Sequence, residues 1–137
     1  MQNYLGLDIG TTSISLIVID ITNGKTIFTE TKQHKSRIPN DENDSYLLDS
    51  EKLLGIARSL VDSTVEQFPD IDGIGVTGQM HGVLIIDKDG DAVSPIYTWL
   101  DMRSLRPGPS GTPYVSELEK ITGVAIPPGY GGATLYY

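Results

Sequence analysis

The stretch that decides the fold is Leu7–Asp20, LDIGTTSISLIVID, in which two apolar, β-branched runs flank a short polar turn. β-Branched side chains favour extended backbone, and glycine permits a tight bend between two strands. The pattern therefore predicts strands over Tyr4–Ile9 and Ile14–Ile19. Asn23-Gly24 is a strong signal for a two-residue hairpin turn, so Lys25–Lys32 is predicted as a third, antiparallel strand.

A helix is predicted after the polar loop that follows the third strand. Asp49 or Ser50 can cap its N-terminus, and Pro69 marks its end. Six apolar residues recur at helical spacing and form one stripe: Leu53, Ala57, Leu60, Val61, Val65 and Phe68. A buried strand over Ile71–Val76 follows. The order β-β-β-α-β predicts an α/β fold with a mixed sheet, because a strand reached across a helix lies parallel. This order resembles the opening of the ribonuclease-H-like layout of actin/hexokinase-type ATPases, and by fold alone the likeness says nothing of function.

The second half of the chain is predicted to be less regular. Val83–Asp87 is apolar enough for another strand. Residues 105–113 are rich in proline, glycine and serine and are predicted as a loop, with a short helix following at Ser116–Thr122. His34 stands among lysines and an arginine and is interpreted as part of a solvated edge.

Composition places the chain among soluble globular proteins. Its 137 residues suffice for one domain with a core, and the absence of cysteine excludes disulfides and thiolate metal sites. A net charge of −8 without a basic patch argues against nucleic acid as a partner. No apolar run approaches the ~20 residues that cross a bilayer, and no secretory signal is apparent. We expect a cytoplasmic protein that does not bind membranes.

Asp8 lies at the end of an apolar strand, where its charge is costly unless it faces a ligand, a metal ion or solvent. Gly10 allows a tight turn, and Thr11, Thr12 and Ser13 supply hydroxyls and backbone amides there. Such groups can receive phosphate oxygens while a carboxylate orients hydrated Mg²⁺. An ordinary hairpin, whose aspartate and threonines satisfy the turn backbone, explains the same residues. The residues alone leave both interpretations open.

Gly73, Gly75 and Gly78 have the G-x-G-x-x-G spacing of a dinucleotide-binding turn. That turn must follow a strand and open a helix. Here two of the glycines lie inside a predicted strand, and another strand is predicted to follow. The glycines are therefore interpreted as positions where a neighbouring element or a ligand approaches the backbone closely.

Two polar clusters in the second half suit a carbohydrate. Gln79, Met80 and His81 follow the glycines, and both the amide and the imidazole can donate and accept hydrogen bonds to sugar hydroxyls. The alternative for His81 is a histidine that satisfies its own turn or core. Further along, Trp99 offers a flat apolar face beside two charged groups, Asp101 and Arg103. A structural ion pair beside a packed tryptophan explains this second cluster equally well.

Three motifs, in this order, resemble the N-terminal part of FGGY-family carbohydrate kinases: LDIGTTSISLIVID, GVTGQMHGVLIIDKDG and YTWLDMR. Their spacing is similar to that of xylulokinases, and SPIYTWLDMR with PPGYGGATLYY is similar to sedoheptulokinase-like members. The family transfers the γ-phosphoryl group of ATP to a sugar hydroxyl. The resemblance therefore implies a kinase with ATP and Mg²⁺ as cofactors. Its substrate would be a small sugar, expected to be a ketose such as xylulose or sedoheptulose.

The resemblance also implies residue roles. Asp8 would organise the Mg²⁺ of ATP, and four residues of the following turn would lie at the phosphates: Gly10, Thr11, Thr12 and Ser13. Seven residues would line or border the sugar pocket: Gln79, Met80, His81, Trp99, Asp101, Arg103 and Tyr130. No catalytic base is assigned, because the aspartate that serves the family comes beyond Tyr137.

The same resemblance implies that residues 1–137 are the N-terminal part of the family's first domain and that the second domain is absent. We therefore expect a fragment that is inactive alone, with unpaired sheet edges through which a homodimer could form. Two alternatives stay open. One is a small non-enzymatic sugar- or partner-binding domain of actin-like fold. The other is an actin-like ATPase, which shares the Asp8 turn but leaves the two later motifs unexplained.

Overall fold

The elements follow the predicted order in the first half of the chain and depart from it in the second. The computed structural model describes residues 2–137. In chain order its elements are β1 (Asn3–Ile9), β2 (Ser13–Asp20), β3 (Lys25–Gln33), β4 (Leu47–Leu48), α1 (Ser50–Gln67), β5 (Ile71–Gly78), β6 (Ile96–Tyr97), α2 (Tyr114–Thr122) and α3 (Gly131–Tyr136). They belong to two units. Unit 1 comprises the described part of residues 1–36 together with 51–79, and unit 2 comprises residues 37–50 and 80–137.

Unit 1 contains the predicted mixed sheet, whose strands lie in the order β3-β2-β1-β5. β1 pairs with β2, and β2 with β3, in antiparallel fashion, as the short turns between them require. β5 is reached across α1 and pairs in parallel with β1. The prediction of an α/β mixed sheet is therefore confirmed.

The core of unit 1 lies between one face of this sheet and α1. Side chains alternate across a strand, so the buried sheet residues share a face: Leu5, Leu7, Ile14, Leu16 and Val18. Leu53, Ala57 and Leu60 of α1 are buried, whereas Val65, predicted in the same stripe, is exposed. Thr64 is buried instead, and its hydroxyl donates to the Leu60 carbonyl at 2.8 Å. Positions 53, 57, 60 and 64 share one helical face, and position 65 is turned about 100° away from it.

The interpretation of His34 as part of a solvated edge was wrong. The side chain is only 2% exposed, and its Nδ1 accepts a hydrogen bond from the Ser36 backbone N–H at 3.1 Å. Residues alternate here, with His34 and Ser36 buried and Lys35 and Arg37 exposed. The charged neighbours therefore face water while the histidine lies inside.

In unit 2, β4 and β6 form a two-stranded antiparallel sheet. The strand predicted at Val83–Asp87 was wrong: the segment makes only isolated bridges, at Val83 and at Ile86. The backbone N–H of Ile85 donates to the Ser94 hydroxyl at 3.0 Å. A side-chain acceptor in place of a carbonyl interrupts the regular ladder of a strand.

The rest of unit 2 consists of short elements joined by loops. The loop predicted over residues 105–113 is confirmed, apart from the end of a 3₁₀ turn at Arg103–Leu105. The predicted short helix is confirmed as α2, which ends at Gly123 with a left-handed φ of 71°. Within residues 2–137, no helix is both long and apolar enough to cross a membrane.

Candidate functional site

The end of β1, next to the β1–β2 turn, presents an exposed carboxylate on the open face of the sheet. Asp8 is level with Ser15 on β2 and with Thr77 on β5, and partners in register point to the same side. After it, the Gly10 backbone N–H donates to the Ser13 carbonyl at 2.9 Å. A Cβ at Gly10 would lie 3.0 Å from that same oxygen, so the tight turn favours glycine. Carboxylate, hydroxyls and turn amides are thus gathered at one end of β1.

A concave pocket of about 530 Å³ lies on this open face of unit 1. Its lining includes Asp8, Ile17 and Thr31, together with Gly6 and Gly75, which are neighbours in register. Nothing lies within 4 Å of where a Cβ on Gly75 would be, so this glycine leaves space open rather than admitting a close neighbour. The pocket therefore extends from Asp8, at the end of β1, across the two glycines, with the Ile17 side chain beside Gly6.

The three glycines of the G-x-G-x-x-G spacing differ in how closely other atoms approach them. A Cβ on Gly73 would lie 3.0 Å from the Tyr4 ring, and one on Gly78 would lie 3.1 Å from the Ile9 carbonyl oxygen. Close approach is therefore confirmed at these two positions and absent at Gly75. No helix opens directly after Gly78, so these glycines lack the strand–turn–helix context of a dinucleotide-binding turn.

Gln79 lies beside the predicted phosphate turn, within unit 1. Its side-chain oxygen accepts a hydrogen bond from the Thr11 hydroxyl at 3.0 Å. Its backbone N–H donates to the Ile9 carbonyl at 2.9 Å. The end of β5 is thus joined to the β1–β2 turn through both the main chain and the side chain of this glutamine.

The remaining predicted sugar residues lie in unit 2. His81 and Tyr130 stack face to face, with ring centroids 3.8 Å apart and planes inclined by 8°. The backbone of His81 has φ 64°, in the left-handed region that non-glycine residues seldom adopt. Gly131 packs against the backbone of the same turn, since its Cβ would lie 3.3 Å from the His81 carbonyl oxygen. The PPGYGG segment therefore fixes the orientation of the imidazole.

The PPGYGG segment also packs against the second sugar motif. A Cβ on Gly129, which is buried, would overlap the carbonyl oxygen of Trp99. Trp99 itself is 45% exposed and Met80 is 72% exposed. Unit 2 thus brings the motifs of His81, Trp99 and Tyr130 together through backbone contact and leaves apolar and aromatic surface available to a ligand.

Asp101 and Arg103 form a buried ion pair. The Asp101 side chain is fully buried and accepts bonds from Arg103 Nε at 2.7 Å and Nη2 at 3.0 Å. The backbone N–H groups of Tyr46 and Arg103 donate to the same carboxylate at 3.1 and 3.2 Å. Both carboxylate oxygens are therefore occupied by protein donors. The hydrogen bonds that Arg103 donates to the Asp101 carboxylate raise the pKa of Arg103 above its ordinary value, so the guanidinium stays charged.

Arg103 has an aromatic environment as well as its carboxylate partner. Its guanidinium carbon lies 4.5 Å from the centre of the Tyr97 ring. A second pocket, of about 250 Å³, is bordered by Arg103, Tyr97, Tyr137 and Val83. The Arg103 guanidinium therefore borders open space, and the Asp101 carboxylate holds that guanidinium in position.

Several site neighbours were not predicted. Thr77 lies level with Asp8, and Ser45 and Tyr46 donate to Asp101 from more than fifty positions earlier in the chain. The alternation of side chains along β5 could have predicted the position of Thr77. The contacts of Ser45 and Tyr46 with Asp101 leave no local sequence pattern. Next to that loop, two hydrogen bonds from Arg106, at 2.6 and 2.7 Å, hold the pKa of Asp44 below its ordinary value.

The sheet order and the polar turn after β1 define the class of protein, an ATPase-type fold of the actin/hexokinase kind. The solved "xyloylose kinase from Brucella ovis" superposes with a TM-score of 0.78 at 25% identity, covering 98% of this chain and 28% of that one. The solved glycerol kinase of Plasmodium falciparum with ADP superposes with a TM-score of 0.77 at 20% identity, with the same coverage.

The chain belongs to the FGGY family of carbohydrate kinases, whose N-terminal domain it matches over residues 3–136. It is 28% identical to the xylulose kinase of Bacillus subtilis (strain 168) over 109 residues, which cover 76% of this chain and 21% of that protein. It is 25% identical to the xylulose kinase of Klebsiella pneumoniae over 142 residues, covering 98% of this chain and 28% of that protein. The chain thus spans between 21% and 28% of the length of these relatives.

Proposed function

We propose that residues 1–137 supply nucleotide-side and sugar-side residues of an ATP-dependent carbohydrate kinase whose substrate is a ketose such as xylulose or sedoheptulose. The observation that carries the proposal is the family match over residues 3–136 in a chain whose β1–β2 turn gathers a carboxylate, hydroxyls and amides. The relatives named xylulose kinase support the ketose as substrate class.

The chemistry of the Asp8 turn fits Mg²⁺ bound to a nucleotide. Magnesium is held in such sites by one or two carboxylates together with phosphates and water, so a single exposed aspartate is a suitable protein ligand. When bound, the ion neutralises phosphate charge. The backbone amides of the turn and the hydroxyls of Thr12 and Ser13 would receive phosphate oxygens. The Plasmodium relative solved with ADP supports a nucleotide on this fold.

The sugar side of the proposal rests on unit 2. His81 is held in one orientation by Tyr130, and its ring nitrogens can donate to or accept from sugar hydroxyls. Trp99 and Met80 supply exposed apolar surface, and Arg103 supplies a fixed cation. These residues bind and orient a sugar. The family resemblance implies that the catalytic aspartate lies beyond Tyr137, so we propose that the base comes from outside residues 1–137.

Two variants test the two halves of this proposal. Nuclear magnetic resonance spectra of the chain are titrated with MgADP and, separately, with D-xylulose. We expect Asp8→Asn to weaken MgADP binding about tenfold or more, because the exposed carboxylate is the proposed magnesium ligand. We expect His81→Ala to weaken xylulose binding and to leave MgADP binding unchanged.

Two exposed residues, Asp62 and Lys88, provide the control variants. Asp62→Asn removes an exposed carboxylate on α1, in the same unit as Asp8, and Lys88→Ala removes an exposed side chain of unit 2; neither should change binding. Residues 1–137 supplied with ATP, Mg²⁺ and xylulose should release no ADP beyond the background. Turnover would contradict the external base, and equal binding by the variants and the unchanged chain would contradict the assignment of the two sides.

A further inference from the structure

Gln79 stands in the sequence with Met80 and His81, but its contacts lie elsewhere. Its side chain is partly buried and binds the Thr11 hydroxyl, and its backbone binds Ile9, the residue before Gly10. Both partners belong to unit 1: Thr11 lies in the β1–β2 turn, and Ile9 is the last residue of β1. We propose that Gln79 is a positioning residue for the nucleotide side rather than a ligand of the sugar. It would restrain the conformation of the β1–β2 turn and fix the direction in which the Thr11 hydroxyl donates its hydrogen. This inference rests on the proposed kinase function.

The direction of the hydrogen bond between Thr11 and Gln79 determines whether the Thr11 hydroxyl can act as a donor or an acceptor towards a ligand. A hydroxyl has one hydrogen, and an amide oxygen can only accept, so Thr11 is the donor to Gln79. While that bond holds, Thr11 acts towards any further group as an acceptor. Phosphate oxygens are themselves acceptors at neutral pH, so they would be met by the turn amides and by the hydroxyls of Thr12 and Ser13. A water held by Mg²⁺ is a donor and would match the oxygen of Thr11.

The same contact also restrains the backbone of the turn. Gly10 is held by one hydrogen bond, from its N–H to the Ser13 carbonyl at 2.9 Å. Gln79 adds a link from the neighbouring residue, Thr11, to the end of β5, which itself pairs with β1. Loss of the amide would remove this hydrogen bond of the Thr11 hydroxyl and loosen the turn while leaving the Asp8 carboxylate in place.

The test compares Gln79→Leu, which keeps the size of the side chain and removes its oxygen, with Gln67→Leu, an exposed glutamine at the end of α1. We expect Gln79→Leu to weaken MgADP binding about tenfold and to change the dissociation constant for D-xylulose less than twofold. The Gly10 amide should exchange with solvent about tenfold faster. Gln67→Leu should leave all three quantities unchanged.

A conservative variant separates positioning from general damage. Gln79→Glu retains an acceptor for the Thr11 hydroxyl, so exchange of the Gly10 amide should stay as slow as in the unchanged chain. Its added negative charge should still weaken MgADP binding, because like charges repel.

Three results would overturn the inference. The first is weaker xylulose binding with unchanged MgADP binding in Gln79→Leu, which would make the residue a sugar ligand. The second is unchanged Gly10 exchange in Gln79→Leu, which would show that the contact does not restrain the turn. The third is an unchanged chain that binds no MgADP, which would overturn the proposed function and this inference with it. The first two results leave the proposed function intact.

Discussion

Replacement of Asp101 by asparagine should destabilise unit 2 more than any other change of a single charge there. The substitution keeps the shape of the side chain, removes its charge, and turns one acceptor atom into a donor. That donor would face Arg103 or the Tyr46 N–H, both of which already donate to Asp101. The Arg103 guanidinium would lose its carboxylate while still 87% enclosed, since its side chain is 13% exposed.

The structure sets the size of the expected effect. Removing one partner of a buried ion pair costs about 3 to 5 kcal/mol of unfolding free energy. The Asp101 side chain is fully buried, but Arg103 retains some solvent and the Tyr97 ring at 4.5 Å. We therefore expect the lower end, about 3 kcal/mol. With a urea dependence of about 1.5 kcal/mol per molar, the unfolding midpoint should fall by about 2 M.

The assay is urea unfolding followed by tryptophan fluorescence. Trp99 is the only tryptophan of the chain and belongs to unit 2, two positions from the substituted residue. Asp89→Asn is the matched control, because Asp89 pairs with Lys88 at the surface, where both side chains are largely exposed. Such pairs contribute about 0 to 1 kcal/mol, so the control midpoint should move by less than about 0.7 M.

A second variant keeps the reasoning testable if Asp101→Asn does not fold. Ser45→Ala removes one hydroxyl that donates to Asp101 and accepts from Arg103 at 3.1 Å, leaving the ion pair in place. It should lower stability by about 1 kcal/mol. A midpoint for Asp101→Asn within about 0.5 M of the unchanged chain would refute the view that this carboxylate holds the loop together.

Two further substitutions test the packing of each unit by thermal unfolding. In unit 2, Gly129→Ala should lower the free energy of unfolding by more than about 2 kcal/mol, because a Cβ would overlap the Trp99 carbonyl. Its control, Gly132→Ala, places a methyl group in open space inside α3 and should be neutral or stabilising. In unit 1, Leu60→Ala should lower the free energy of unfolding by about 2 to 5 kcal/mol, because Leu60 is buried. Its control, Leu54→Ala, on the exposed side of the same helix, should lower it by less than about 1 kcal/mol. Equal effects of a variant and its control would contradict the packing of that unit.

Local pattern was sufficient for unit 1. β-Branched runs, an Asn-Gly turn and one helical stripe predicted the four strands of its sheet and α1 to within a few residues, because the signal for each element lies in its own residues. The helical stripe misplaced Val65 because apolarity alone cannot tell which side of a helix faces the sheet. Thr64 lies on that side, and it can be buried because its hydroxyl binds the Leu60 carbonyl.

Unit 2 depends on contacts between distant residues, which leave little local pattern. β4 and β6 are two residues each and form only because residues 47–48 and 96–97 meet. The predicted strand at Val83–Asp87 was wrong because the Ile85 backbone N–H binds the Ser94 hydroxyl instead of a backbone carbonyl. A run of apolar residues does not predict such a hydrogen bond.

The sequence by itself determined the fold class and the chemical types present at each motif: an aspartate with hydroxyls after β1, and a glutamine, histidine, tryptophan and arginine further on. Tertiary structure decided which of these groups meet. It placed the Gln79 side chain against Thr11, stacked His81 on Tyr130, and enclosed Asp101 among donors from residues 45–46. The physical reason is that strand and helix periodicity is a local property, whereas a polar side chain takes its role from whichever donors and acceptors the folded chain brings within about 3 Å of it.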